Sequence, residues 1–194
     1  MRIGLMGGTF DPIHHGHLVA AEEARVALDL DRVMFVPAGR PWQKERADVS
    51  PADDRYAMTR LATEDNTAFE VSRIELGREG PTYTVDTLRS MRESEPGAEL
   101  YFITGADATL EILTWKNAEE TLGLATFVAV SRPGHELAKL ESLGYGDRVV
   151  VLEIPALAIS STDIRVRVAA GRPIRYLLPE PVRTYIEEHG LYRA

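Results

Sequence analysis

Short runs of β-branched and aromatic residues recur along the chain, and they predict strands. The runs are RIGLM (2–6), RVMFVP (32–37), FEVSRIEL (69–76), ELYFIT (99–104), ATFVAVS (125–131) and RVVVLEI (148–154). Helical patterns lie between them. The clearest places Leu18, Ala21, Ala24 and Leu28 at three- and four-residue spacing, which forms one apolar face of a helix.

This alternation of strand and helix predicts an α/β fold, a doubly wound parallel sheet with helices on both faces. The sequence contains no internal repeat and no clear linker. We therefore expect a single domain over residues 1–194, with residues 160–194 forming a small C-terminal helical part. Ligands of such sheets bind beyond the carboxyl ends of the strands, where the strand order reverses. Residues 7–17 follow the first predicted strand and are the first place to look for a site.

The composition is that of an ordinary globular protein, with 194 residues of which 44% are hydrophobic and 27% charged. The sequence has no cysteine, which excludes disulfides and thiolate metal sites. The apolar stretch between Arg2 and Gly7 is too short for a signal peptide, and no run of about 18 apolar residues predicts a membrane span. We therefore expect a cytoplasmic protein without a membrane partner.

The formal net charge of −8 argues against the broad basic face that duplex nucleic acid requires. An anionic ligand would have to be bound locally. Two groups of basic residues are available, one in the loop between Pro37 and Pro51 and one near the C-terminus. They comprise Arg40, Lys44 and Arg46, and Arg165, Arg167, Arg172 and Arg175.

The segment GGTFDPIHHGHL (7–18) concentrates three of the five histidines. It is neither a P-loop nor a G-x-G-x-x-G motif, so an ordinary P-loop kinase or dehydrogenase is not indicated. Asp11-Pro12 is typical of a turn or a helix N-cap. His14 and His17 would face the same way on a helix, with Gly16 leaving space beside them. That arrangement suits an elongated anion bound over a helix N-terminus.

Three interpretations of the histidines compete. They are surface or capping residues without a shared role, or they form a metal site with Asp11, or they act on a phosphate. The phosphate interpretation is favoured, because short-spaced histidines lack a distant third ligand that stands out in the sequence.

The same segment resembles the G-x-F-D-P-x-H-x-G-H motif of the nucleotidylyltransferase superfamily, with His15 on the variable position. The segment ISSTDIR (159–165) resembles the second signature of that superfamily, I-S-S-T-x-x-R. Ser160 and Asp163 also have the spacing of a capping box. The resemblance implies a Rossmann-like fold. It also implies that ATP is bound by Gly7, Gly8, Thr9, Phe10, His14, Gly16, His17, Gly105, Asp107, Ile159, Ser160, Ser161, Thr162 and Arg165.

Four further segments resemble bacterial nicotinate-nucleotide adenylyltransferase: VPAGRPWQK (36–44), GPTYTVDTLR (80–89), YFITGADATLEILTW (101–115) and LLPEPVRTYIEEHGLY (177–192). The resemblance implies that the pyridine mononucleotide is bound by Lys44, Thr82, Tyr83, Thr84, Asp86, Asp107 and Trp115. Stacking of the cationic pyridine ring on Trp115 would be favourable. The family commonly has a histidine where this chain has Gln43, so a phosphate role at that position lacks a charge.

The implied reaction is transfer of AMP from ATP to nicotinate mononucleotide, giving deamido-NAD and pyrophosphate. The catalytic residues would be His14, His17, Lys44 and Arg165, and Mg²⁺ would enter with ATP rather than on protein side chains. Alternatives are phosphopantetheine adenylyltransferase, a nucleotide-binding regulator without catalysis, and a metal-dependent hydrolase. The sequence leaves the oligomeric state open, including a homo-oligomer.

Overall fold

The computed structural model describes residues 1–41, 49–131, 145–155 and 157–193. Within them, six strands form one sheet: β1 (Arg2–Gly8), β2 (Arg32–Pro37), β3 (Phe69–Val71), β4 (Glu99–Gly105), β5 (Thr126–Ser131) and β6 (Val149–Glu153). The α-helices are α1 (His15–Ala27), α2 (Ala52–Thr63), α3 (Thr84–Ser94), α4 (Ala106–Leu110), α5 (Ala118–Leu124), α6 (Ser161–Ala169) and α7 (Glu180–Glu188). Short 3₁₀ turns cover Ile112–Thr114 and Gly146–Arg148.

All strand pairs in the sheet are parallel, and the order is β3-β2-β1-β4-β5-β6. The chain runs outward from β1 to β3 and then returns to the other side of β1 as β4. The strand order therefore reverses at β1 and β4, which is where doubly wound sheets bind their ligands. The predicted fold class is confirmed.

Side chains of each strand alternate between two buried clusters, one on each face of the sheet. Ile3 and Leu5 of β1 pack with α3 and α5, whereas Met6 packs on the opposite face with α1 and α2. Both faces are covered, which explains why the strands read as continuous apolar runs.

The C-terminal helices share the core of the sheet. Ile164 of α6 and Val182 and Ile186 of α7 are buried in the same cluster as Phe10 and Ile13. None of the described helices is long and apolar enough to cross a membrane.

The predicted third strand is shorter than its apolar run. It ends at Val71, because the backbone N–H of Ile74 donates to the hydroxyl of Ser72 at 3.2 Å and the chain turns there. The predicted first helix forms as expected, with Ala21 and Ala24 fully buried on its inner face.

Candidate active site

A cleft of about 560 Å³ opens at the carboxyl edge of the sheet, beyond β1, β4 and β5. It lies at the reversal of strand order. Most of the residues predicted to bind ATP line it, namely Gly7, His14, Gly16, His17, Gly105, Asp107, Ile159, Ser160, Ser161, Thr162 and Arg165. Gly8, Thr9 and Phe10 are not among the lining residues. The fold thus brings the N-terminal motif and residues 159–165 to a single cleft.

His14 and His17 form one unit at the start of α1. His14 is the N-cap residue and is buried, with 6% of its surface exposed. Its ring stacks on that of His17, with centroids 3.8 Å apart and planes at 21°. The backbone N–H of His14 donates to Nδ1 of His17 at 3.2 Å. Nδ1 of His17 is therefore an acceptor, and a neutral His17 carries its proton on Nε2.

Gly16 leaves room for the histidine pair, and Phe10 packs against it. A Cβ at Gly16 would lie 3.0 Å from Nδ1 of His14, so a side chain at position 16 would crowd the imidazole. The Phe10 ring packs edge-on against His17 at 5.1 Å and is itself 2% exposed. Phe10 therefore supports His17 from the core. Asp11 lies in the turn before α1 and is not its N-cap, which decides between the two predicted roles of Asp11-Pro12.

The second signature packs directly on the first. Ser160 is the N-cap of α6 and accepts from the Asp163 backbone N–H at 3.1 Å, as its sequence spacing predicted. The Ser161 hydroxyl donates to the carbonyl of Pro12 at 2.8 Å, and the Arg165 guanidinium donates to the carbonyl of Asp11 at 2.7 Å. The N-terminus of α6 is thereby fixed beside that of α1.

The Asp11 carboxylate connects two distant segments to the N-terminal motif, a role that the sequence analysis did not identify. Its carboxylate accepts from the hydroxyl of Tyr192 at 2.6 Å and from the backbone N–H of Ser50 at 3.1 Å. Burial and the neighbouring Asp11 charge raise the pKa of the Tyr192 hydroxyl, so it stays a donor. The C-terminal segment is therefore bonded to the N-terminal motif through Tyr192.

Arg55 is a second residue that the sequence analysis missed. It lies on α2, is 1% exposed, and donates to the carbonyls of Thr9, Gly39 and Ser50. Burial lowers the pKa of this guanidinium, while the charge of Asp11 acts in the opposite direction. One signal was available in the sequence, since Arg55 shares the inner face of α2 with Met58 and Ala62.

Four of the residues predicted to bind the mononucleotide, Thr82, Tyr83, Thr84 and Asp86, lie at the start of α3. Thr82 pairs with Pro41, just beyond β2, and its backbone N–H donates to the Arg40 carbonyl at 2.9 Å. Tyr83 is the N-cap of α3 and Thr84 its first residue. Thr84 and Val85 occupy the first two helical positions, where a backbone N–H has no acceptor within the helix, whereas the N–H of Asp86 donates to the Tyr83 carbonyl at 3.1 Å.

Two cations surround Asp86 in the first turn of α3. Its carboxylate pairs with Arg89 at 2.9 Å and with Lys116 at 3.4 Å. The Lys116 ammonium also lies 4.1 Å from the centroid of the Tyr83 ring. Asp86 is thus oriented by side chains from two segments.

Trp115 packs at the edge of the second buried cluster. Its ring contacts Phe102 at 6.2 Å and Phe127 at 6.1 Å, both edge to face. Its buried indole N–H finds no acceptor in the part of the chain that the structure describes. Of the predicted mononucleotide residues that the structure describes, only Asp107 also lines the cleft, and this residue is exposed.

Lys44, which is predicted to bind phosphate, lies outside the described residues, as do Gln43 and the basic Arg46 of the same loop. Over residues 1–41, 49–131, 145–155 and 157–193, no three histidine or carboxylate side chains are grouped as metal ligands.

The chain matches known proteins over most of its length. Residues 5–167 match the cytidylyltransferase-like family. Three curated relatives, each described as a probable nicotinate-nucleotide adenylyltransferase, match over nearly the whole chain. The protein of Leifsonia xyli is 60% identical and covers 100% of this chain and 94% of its own. Those of Corynebacterium kroppenstedtii and Streptomyces coelicolor are both 58% identical, covering 98% and 97% of this chain and 90% and 100% of their own.

The chain belongs to the nicotinate-nucleotide adenylyltransferase family. The resemblance drawn from its motifs is confirmed. Nicotinic acid mononucleotide adenylyltransferase of Plasmodium falciparum, solved with NaAD, superposes with a TM-score of 0.84 at 20% identity, over 98% of this chain and 97% of its own. The same enzyme solved with APC gives a TM-score of 0.81, over 98% of this chain and 96% of its own. At this identity the likeness supports the fold of the adenylyltransferase family.

Proposed function

We propose that the protein transfers the adenylyl group of ATP to the 5′-phosphate of nicotinate mononucleotide. A phosphate oxygen of the mononucleotide attacks the α-phosphorus of ATP, a new P–O bond forms, and the bond to the β-phosphate breaks. The products are deamido-NAD and pyrophosphate. The observation that carries the proposal is the meeting of both signatures at one cleft, with Arg165 and Ser161 bonded to the Asp11-Pro12 turn.

The cleft supplies hydrogen-bond donors for the triphosphate from two helix ends. His17 donates through Nε2, and the N-terminal N–H groups of α1 and α6 add their partial positive charge. Each imidazole donor contributes about 3 kcal/mol to stabilising the departing pyrophosphate, by the measure of oxyanion-hole donors. Arg165 and Lys44 neutralise further phosphate charge; the role of Lys44 rests on the sequence alone.

Asp107 is the residue that both substrates would share. It lies in the first turn of α4, directly after β4, and its exposed carboxylate faces solvent at the cleft. A carboxylate accepts hydrogen bonds from ribose hydroxyls. We assign its carboxylate to a ribose hydroxyl. Asp107 would then lie between the residues that bind the triphosphate and the mononucleotide segment, residues 82–86 at the start of α3.

The mononucleotide binds along the start of α3. First-turn N–H groups at Thr84 and Val85 receive its pyridine carboxylate, and Trp115 packs against the cationic ring. No covalent enzyme intermediate is required because the attacking phosphate is already an anion. The protein acts by positioning its substrates and stabilising charge, as in other phosphoryl transfers.

Nucleotidyltransferases generally use a divalent metal with ATP. We propose that the metal is Mg²⁺ and that ATP enters as its magnesium complex. Mg²⁺ keeps several waters and prefers substrate phosphates to an all-protein cage, which fits a cleft where the described lining residues supply hydroxyls, imidazoles and one carboxylate, that of Asp107.

The test is a panel of acceptors incubated with purified protein and Mg·ATP. Nicotinate mononucleotide, nicotinamide mononucleotide, phosphopantetheine and a blank without acceptor are scored for pyrophosphate and for the adenylylated product. We expect deamido-NAD and pyrophosphate in equal amounts, loss of both with a chelator, and recovery with Mg²⁺. Product from phosphopantetheine alone would overturn the substrate. Pyrophosphate from none of the acceptors would refute adenylyl transfer and favour the alternative of a nucleotide-binding regulator.

A further inference from the structure

The buried guanidinium of Arg55 is not explained by substrate binding, because the residue is 1% exposed and does not line the cleft. A buried charge is costly unless its donors are used. Arg55 places them on three main-chain carbonyls: Nη1 on Thr9 at 2.8 Å, Nε on Ser50 at 3.0 Å and Nη2 on Gly39 at 3.2 Å. Its partners are therefore backbone segments.

Two of these carbonyls lie just beyond the last hydrogen bonds between β1 and β2. The parallel ladder ends with Gly8 opposite Pro37, and the N–H of Ala38 donates to Gly8 at 2.8 Å. Beyond that point the strands no longer pair. Beyond the ladder, the Arg55 guanidinium joins the two chain segments by donating to the Thr9 carbonyl after β1 and to the Gly39 carbonyl after β2.

Gly39 and its neighbours contact the residues that precede and begin α3, where the mononucleotide segment lies. A Cβ at Gly39 would lie 2.2 Å from the carbonyl oxygen of Glu75, so the two backbones are in close contact. The buried Glu75 carboxylate accepts from the Thr87 hydroxyl of α3 at 2.6 Å. The next residue, Arg40, accepts from the backbone of Thr82 at 2.9 Å.

We propose that Arg55 is a positioning residue. It sets the distance between the N-terminal motif (7–18), proposed to bind ATP, and the mononucleotide segment (82–86) at the start of α3. The inference rests on the proposed function of those two segments. In-line attack needs the reacting atoms close and aligned, and a displacement of about 1 Å costs about a hundredfold in rate. Each segment can still bind its own ligand when the link is weakened, because Arg55 contacts neither ligand. The loss should therefore fall on turnover.

The experiment compares the wild type with Arg55→Lys, which keeps the charge but cannot bond three carbonyls in a fork. We expect kcat at saturating substrates to fall by about a hundredfold. We expect the dissociation constants for nicotinate mononucleotide alone and for a non-hydrolysable ATP analogue alone, measured by calorimetry, to stay within about twofold. Arg60→Lys, at an exposed position of the same helix, is the matched control and should match the wild type.

A second variant approaches the same link without altering Arg55. Gly39→Ala drives a methyl group into the Glu75 carbonyl and displaces the Gly39 segment. It should show the same fall in kcat with both single-ligand affinities preserved. Folded variants with normal kcat would overturn the inference, as would a parallel loss of kcat and both affinities. A wild type without adenylyl transfer would refute the proposed function instead, so the two failures are distinguishable.

Discussion

The guanidinium of Arg165 donates a 2.7 Å hydrogen bond to the main-chain carbonyl of Asp11, across 154 positions of sequence. The same guanidinium lies 3.4 Å from the Thr162 hydroxyl in the first turn of α6. Arg165 therefore holds the two signature segments together while it lines the cleft. One side chain therefore both bonds the two segments together and places a positive charge at the cleft.

Arg165→Lys should lower kcat by about tenfold or more, because lysine keeps the charge but cannot bond a carbonyl and a phosphate with one planar group. Steady-state kinetics measures the effect. Arg167→Lys is the control, since Arg167 pairs with Asp163 on the same helix and does not line the cleft. Equal kinetics for the two variants would contradict the role of Arg165.

His17→Ala should lower turnover by about a hundredfold or more, because it removes a donor that stabilises the leaving phosphate. His15→Ala serves as the control, since His15 occupies the variable position of the motif and does not line the cleft. Circular dichroism would verify that both variants fold. A folded His17→Ala protein with near-normal turnover would refute the assignment.

Trp115→Ala should mainly raise the KM for nicotinate mononucleotide, by about two- to thirtyfold, because stacking on a cation contributes about 0.5–2 kcal/mol. It should also lower the melting temperature, since the ring packs against Phe102 and Phe127. Leu113→Ala, at a side chain 55% exposed two residues earlier, controls for changes in this segment. If the KM for ATP alone changed, the mononucleotide pocket would lie elsewhere.

Glu75→Gln tests the buried carboxyl group beside Gly39. Burial raises the pKa of Glu75, and its hydrogen bond from Thr87 offsets only part of this. The folded state therefore binds the proton more tightly than the unfolded state. The stabilisation is full below the unfolded pKa of about 4.3 and is lost as the pH rises through the folded value.

The variant has no such titration. We expect its free energy of unfolding to increase relative to that of the wild type as the pH rises from about 4 to about 7, so the variant gains relative stability. Urea unfolding at several pH values provides the measurement. Glu79→Gln, at an exposed site, controls for the loss of a charge. A difference between wild type and Glu75→Gln that did not vary with pH would show that burial does not perturb this carboxyl.

Local pattern was enough to predict the strands, the first helix and the cap at Ser160. These features depend on neighbours in the sequence, through side-chain periodicity and a side chain bonding to a backbone N–H three positions on. The third strand was overestimated for a related reason. A serine hydroxyl bonding two residues ahead ends the strand, and that turn does not interrupt the apolar pattern.

The supporting residues of the site could not be predicted in the same way. Tyr192 bonds to Asp11 across 181 positions, and Arg55 bonds to Thr9 across 46. Neither pairing has a local sequence signature. Each arises because α2 and the segment after α7 pack against the same buried cluster as Phe10 of the N-terminal motif.

The sequence by itself determined the strand and helix pattern, the two signature segments and, through their resemblance, the family. Only the tertiary structure decided that the signatures share one cleft, that Nδ1 of His17 accepts from the backbone N–H of His14, and that Arg55 joins the carbonyls of Thr9, Gly39 and Ser50. Motifs express what a residue can do with its neighbours, whereas distances between loops depend on strand order and on buried contacts formed after the whole chain has folded.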